Sequence, residues 1–112
     1  LITSFDAVHD QREPAAVLGS AASALAPDGT YLAIEPRASS NLEDNLGNAF
    51  APWMYGVSVL HCMTVSLAEG GAGLGTAWGE QTARRFLHDA GFTSIEVVDA
   101  PGPQNSIYIC RR

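Results

Sequence analysis

Pro27-Asp28-Gly29-Thr30-Tyr31-Leu32-Ala33-Ile34-Glu35-Pro36 decides the fold of this chain. Pro27-Asp28-Gly29 carries turn chemistry. Thr30 to Glu35 is a nearly continuous apolar run ended by Pro36, and a strand apolar on both faces belongs in the middle of a parallel sheet. Upstream, from Pro14 to Ala26, Val17, Leu18, Ala21, Ala22 and Leu25 recur at helical spacing in an Ala-rich segment. Pro14 suits the first helical position, where a missing N–H costs nothing, and Glu13 suits the positive end of the helix dipole. Before that helix, Leu1-Ile2-Thr3-Ser4 reads as a short strand running into a loop with Phe5, Asp6, His9 and Asp10. Residues 1–35 are thus strand, helix, strand, a βαβ unit that is right-handed in nearly all cases.

Downstream, residues 36–77 form an irregular insert. Leu42 to Phe50 has room for a short helix. Pro52 to Ser66, rich in Trp, Met, Tyr, Val and Leu, is a second helix, apolar around most of its circumference and so expected to be buried or to lie over a pocket. Gly70-Gly71-Ala72-Gly73-Leu74-Gly75 reads as a flexible connector, and Thr76 as an N-cap with Glu80 in the first turn. Trp78, Thr82 and Phe86, with Ala83, Leu87 and Ala90, follow at helical spacing until Gly91 stops the helix. Phe92 to Asp99 and Ser106 to Cys110 are strands around a Pro101-Gly102-Pro103 turn, and the short link makes them an antiparallel pair at one sheet edge. Residues 78–112 are therefore an αββ unit.

Composition bounds the function. The chain has 112 residues, 46% apolar and 16% charged, with formal net charge −6. This is one globular domain at most. All six cations are Arg and no basic stripe exists, so a nucleic-acid partner is not expected. No run of about 20 apolar residues exists to span a membrane. The first residues carry no signal-peptide layout and no initiator Met, which suggests a processed piece or fragment. Cys62 and Cys110 are far apart in sequence; a single disulfide is one reading, and two free thiols in a cytoplasmic protein the preferred one.

The glycine run fails as a nucleotide motif. Gly71-Ala72-Gly73-Leu74-Gly75-Thr76 has Thr where GxGxxG needs its third Gly, follows no strand, and lacks the Lys of a phosphate loop. His61-Cys62 is the obvious metal or nucleophile pair, but no third and fourth ligand stand at suitable spacing, so no metal is expected. Adjacency in sequence is not the geometry a Cys–His nucleophile uses, and no oxyanion loop is recognisable. His88 sits on the polar side of its helix. His9 differs. In open α/β sheets ligands bind at the carboxyl ends of the strands, and Asp6, His9, Asp10, Glu35 and Arg37 fall at two such ends. They read either as caps and surface charges or as a site in which His9 is a general base. The insert, with Trp53, Met54, Tyr55, His61 and Met63, then becomes an apolar lid suited to a small organic substrate.

Three patterns carry a family resemblance. Leu1-Ile2-Thr3-Ser4-Phe5-Asp6-Ala7-Val8-His9-Asp10 is similar to the fourth strand and following loop of class I S-adenosylmethionine-dependent methyltransferases. Leu25 to Glu35 resembles the "LxPGG" turn and fifth strand of that family, and Phe86-Leu87-His88-Asp89-Ala90-Gly91-Phe92 its "hLxxAGF" helix end. Glu35 to Asn45 with Leu60 to Ser66 resembles a mycobacterial and actinobacterial branch in which a winged-helix domain precedes the catalytic one. The resemblance implies an α/β fold, the C-terminal half of a Rossmann-like methyltransferase sheet. It places Phe5 and Asp6 in the loop that lines the cofactor site and matches His9 to that loop's histidine. The strand-end and lid reading adds His9 as the catalytic base and Glu35, Arg37, Trp53, Tyr55, His61 and Met63 as contacts to a small-molecule substrate. The family's glycine-rich cofactor loop and the acidic residue ending its second strand have no counterpart here. S-adenosylmethionine is therefore the cofactor of the complete protein, and this chain alone is not expected to bind it. The strand at 1–4 would expose an edge that needs an upstream half or a second copy. The alternative is a non-catalytic α/β module of a transcriptional regulator that binds a ligand or partner.

Overall fold

The computed structural model describes residues 1–112. Strand β1 (Ile2–Phe5) leads through a loop into helix α1 (Pro14–Ala24), and strand β2 (Tyr31–Pro36) follows. A short 3-10 turn (Leu42–Asn45) precedes helix α2 (Ala51–Val57), which continues through a π turn (Ser58–Cys62) into α3 (Met63–Ala68). Helix α4 (Gly79–Asp89) and strands β3 (Ser94–Asp99) and β4 (Asn105–Arg111) complete the chain. The sheet has the order β1-β2-β4-β3. β1 runs parallel to β2, with Thr3 opposite Leu32, while β4 is antiparallel to both β2 and β3. The expected βαβ unit, insert and αββ unit are all present, and the result is a mixed α/β sheet.

β2 is central, as its apolar run requires, but between one parallel and one antiparallel neighbour. The core lies on one sheet face. Tyr31, Ala33, Tyr108 and Cys110 pack there against Leu18 and Ala22 of α1 and Ala83 and Leu87 of α4. Tyr31 and Phe92 stack with ring centroids 5.4 Å apart. The intervening positions Leu32, Ile34, Ile107 and Ile109 point to the other face and stay partly exposed. Both cysteines are free and buried, and no helix is long and apolar enough to cross a membrane.

Three local readings need correction. Thr76 does not cap α4. That helix starts three residues later, and the buried Thr76 hydroxyl donates to Cys62 Sγ at 3.0 Å. The glycine run is not a free hinge, because its backbone is tied down: Ala72 N–H bonds Arg12 O, and Gly71 N–H bonds Ser66 O. At Gly75, with φ +73°, a Cβ would lie 2.0 Å from Ser58 Oγ, so close packing rather than flexibility calls for glycine. Of the two arrangements expected of the insert helix, burial around its circumference fails, since Trp53, Val59, Leu60, Val65 and Leu67 are exposed, while the other holds: Met54 and Cys62 face inward and the helix lies over a pocket. The end of α4 follows the sequence closely. Gly91 N–H bonds His88 O and Phe92 N–H bonds Leu87 O, the paired bonds of a Schellman stop.

Candidate functional site

The loop after β1 and the end of β2 meet because the two strands are parallel neighbours. Asp6 N–H extends the ladder to Ile34 O at 2.8 Å, and Asp6 itself takes a left-handed turn with φ +44°. That turn sends residues 7–10 back across the end of β2. Glu35, 1% exposed, then becomes the organising acceptor. Its Oε1 accepts from Val8 N–H at 2.9 Å and Ala7 N–H at 3.2 Å, and its Oε2 lies 2.6 Å from Nδ1 of buried His9. With the carboxylate held by two amides, Nδ1 carries the donated proton and the Nε2 lone pair is left to the other side of the ring. Nε2 lies 3.1 Å from Asp10 Oδ1, outside hydrogen-bond geometry, and that oxygen is buried without a hydrogen-bond partner.

Burial works against the His9 imidazolium, but the Glu35 hydrogen bond and the charges of Glu35, Asp10 and Asp6 outweigh it. His9 therefore keeps its proton to higher pH than a free imidazole. Burial and the charge of Glu35 raise the Asp6 carboxyl, with His9 and an Asn105 hydrogen bond acting the other way. Burial, then the nearby Asp10, pushes the Cys62 thiol up.

A cavity of about 220 Å³ opens beside this group. Asp6, His9, Cys62, Thr76 and Asn105 supply polar atoms, while Phe50, Trp53, Met54 and Val57 of the insert form the apolar wall. It is smaller than the roughly 300–1,000 Å³ typical of drug-sized ligand pockets.

The structure brings Asp6, His9 and Trp53 to this cavity and puts Glu35 behind His9, where both its oxygens are engaged and it does not line the cavity. The other residues named from sequence stand elsewhere. Arg37 pairs with Asp99 on the surface, Tyr55 OH accepts from Asn45 Nδ2, His61 is exposed, and Met63 lies beside Gly75. Phe5 is 61% exposed, at a β1 position paired with Ile34 of the uncovered sheet face. Met54 lines the cavity as the lid reading expects, and Cys62 lines it without the His61 partner that the sequence sets beside it; Thr76 and Asn105 are site residues that the sequence does not single out. The i, i+4 spacing from Trp53 to Val57 was the available signal for the wall; nothing local signals Asn105, which arrives from β4.

No protein-family profile matches the chain, and no curated protein sequence matches it. Solved structures do. The chain is similar to an O-methyltransferase family protein from Burkholderia thailandensis with TM-score 0.67 and 20% identity, over 98% of this chain and 29% of that one. It is similar to PigF with SAH, with TM-score 0.67 and 18% identity, over 99% of this chain and 30% of that one. The apo form of the S-adenosylmethionine-dependent methyltransferase SibL matches with TM-score 0.53 and 20% identity, over 87% of this chain and 26% of SibL. The chain thus spans less than a third of the length of these structures, and at such identity the likeness is one of fold: residues 1–112 adopt the fold of part of a methyltransferase domain.

Proposed function

We propose that this chain is part of an S-adenosylmethionine-dependent methyltransferase that acts on a small molecule, with His9 as proton acceptor and the cavity as acceptor pocket. The observation that carries this reading is the buried Glu35–His9 pair at the carboxyl ends of two parallel strands, open to an apolar cavity. Glu35 fixes the ring and stabilises the imidazolium. Nε2 takes the proton from an acceptor hydroxyl as its oxygen is methylated. S-adenosylmethionine supplies the methyl group when bound. The 220 Å³ cavity is too small to hold that nucleoside beside an acceptor, and Asp6 alone of the two expected cofactor residues lines it, so the cofactor's pocket requires residues outside this chain. The same reading makes the exposed edge of β1 the place where the rest of the sheet, or a second copy, adds. Two unpaired thiols support a cytoplasmic setting. A regulator-linked parent is proposed on the sequence resemblance of Glu35 to Asn45 and Leu60 to Ser66 to the actinobacterial winged-helix branch alone.

The test is calorimetric titration of S-adenosylhomocysteine into this chain and into a form extended upstream. Binding by the extended form alone is expected. Binding by neither overturns the methyltransferase reading, and binding by the short chain overturns the incomplete cofactor site. In the extended form, His9→Gln should keep S-adenosylhomocysteine affinity and lower methyl transfer about 10²–10⁴-fold.

A further inference from the structure

The geometry points to a further site: we propose that His9, Asp10 and Cys62 bind one divalent transition-metal ion of the zinc class, with a coordination position left open toward the cavity. One ligand atom from each residue lies within 4.8 Å of the others. The three come from two separate parts of the chain, the loop after β1 and the π turn Ser58–Cys62 of the insert. π turns inside helices recur at functional sites, because the extra residue re-aims a side chain. Here the turn ends at Cys62, whose neighbour His61 is exposed and takes no part.

The donor set selects the ion. Imidazole nitrogen, carboxylate oxygen and thiolate sulfur suit zinc, whereas calcium and magnesium prefer oxygen alone. The surroundings are those of a ligating set rather than of a chance cluster. Glu35 Oε2 engages His9 Nδ1 at 2.6 Å, the carboxylate–histidine arrangement that orients metal-binding imidazoles through their second nitrogen. Glu35 is in turn held by two backbone amides. The Thr76 hydroxyl donates to Cys62 Sγ, a contact that supports negative charge on sulfur. Asp10 Oδ1 is buried with no hydrogen-bond partner although it faces His9 Nε2. Buried acceptors are nearly always satisfied, and a bound cation would satisfy this one. Three protein ligands beside an accessible cavity leave a fourth position for water or a substrate oxygen, as in catalytic rather than structural zinc sites. On binding, Cys62 loses its proton to solvent and the ion takes the Nε2 lone pair. The ion-loaded form and the proton-accepting form of His9 are therefore mutually exclusive. The metal site stands independently of methyl transfer.

Titrate reduced, chelator-stripped chain with Co²⁺ by absorption, then with Zn²⁺ against a chromophoric chelator. One equivalent is expected, with a thiolate-to-cobalt charge-transfer band. Cys110 is fully buried in the core, so that band reports Cys62. Cys62→Ser should abolish the band, and Asp10→Asn should weaken binding at least tenfold. Glu35→Gln should weaken it about 10–100-fold, as loss of an outer partner does. His61→Gln and His88→Gln should leave it unchanged. Absence of the band in the unmodified chain overturns the site whether or not the variants fold. Equal affinity in folded Cys62→Ser and Asp10→Asn also overturns it. A chain that binds no metal leaves the S-adenosylhomocysteine test unaffected.

Discussion

Glu35 is the residue on which the site turns, because it joins the two strand ends through three hydrogen bonds while itself almost wholly buried. Glu35→Gln keeps the shape but puts an amide N–H where Oε2 accepts from His9. The imidazole proton should then move from Nδ1 to Nε2, visible in nitrogen-15 shifts of His9. Stability should fall by about 1–3 kcal/mol in urea unfolding, the usual cost of a mismatched buried polar group. Cys110 gives a second test at this scale. Burial raises its thiol from 9.0 to about 12. The folded state thus prefers the neutral thiol, so this contribution is complete below pH 9 and lost as pH rises toward 12. The expected slope is a loss of about 1.4 kcal/mol per pH unit in that window. Cys110→Ala should flatten it in urea unfolding followed against pH. The sequence placed Glu35 and His9 at one sheet edge but read Glu35 as a substrate contact. Their pairing depends on the left-handed turn at Asp6, for which an Asp preceded by Phe carries no distinctive local signal.

At the scale of elements, the start of α4 is locked to the loop after β2. Glu80 N–H bonds Ala38 O, Thr82 N–H bonds Ser40 Oγ, and Ser40 N–H bonds the Gln81 side chain. This approach leaves no space at Gly79, where φ is +79° and a Cβ would lie 2.1 Å from Ser40 N. Gly79→Ala is expected to cost about 2 kcal/mol or more, since both backbone conformation and contact oppose it. Gly47→Ala meets nothing within 4 Å and should stay within about 0.5 kcal/mol. Urea midpoints of the two variants check the contrast. The elements themselves were largely legible: helical spacing in 14–26 and 78–90, the apolar run 30–35, and the Gly91-Phe92 stop all rest on local chemistry. The start of α4 was not, because Thr76 is drawn away from capping by a long-range bond to Cys62. The insert was read as a helix correctly, but which of its sides would be covered is decided by what packs on it.

For the whole molecule, the strand order makes β2 and β4 interior and β1 and β3 edges. Amide hydrogen exchange should therefore be slowest at Tyr31, Ala33, Tyr108 and Cys110, whose side chains lie in the core, and fastest in β1 among the strands. Comparable protection in β1 on the isolated chain would mean that its free edge is paired in solution. One sheet face carries the helices, while Leu32, Ile34, Ile107 and Ile109 remain partly exposed on the other, and this asymmetry was invisible in β2, whose residues are apolar at both parities. By itself the sequence determined the order of elements, the turns that separate them and the edge where Asp6, His9 and Glu35 gather, because periodicity and turn chemistry act over a few neighbouring residues. Only the tertiary structure decided that Glu35 holds His9, that Cys62 rather than His61 faces it, and that Asn105 closes the cavity. Those contacts join residues far apart in the chain, and their distances follow from strand register and helix packing, which no local spacing encodes.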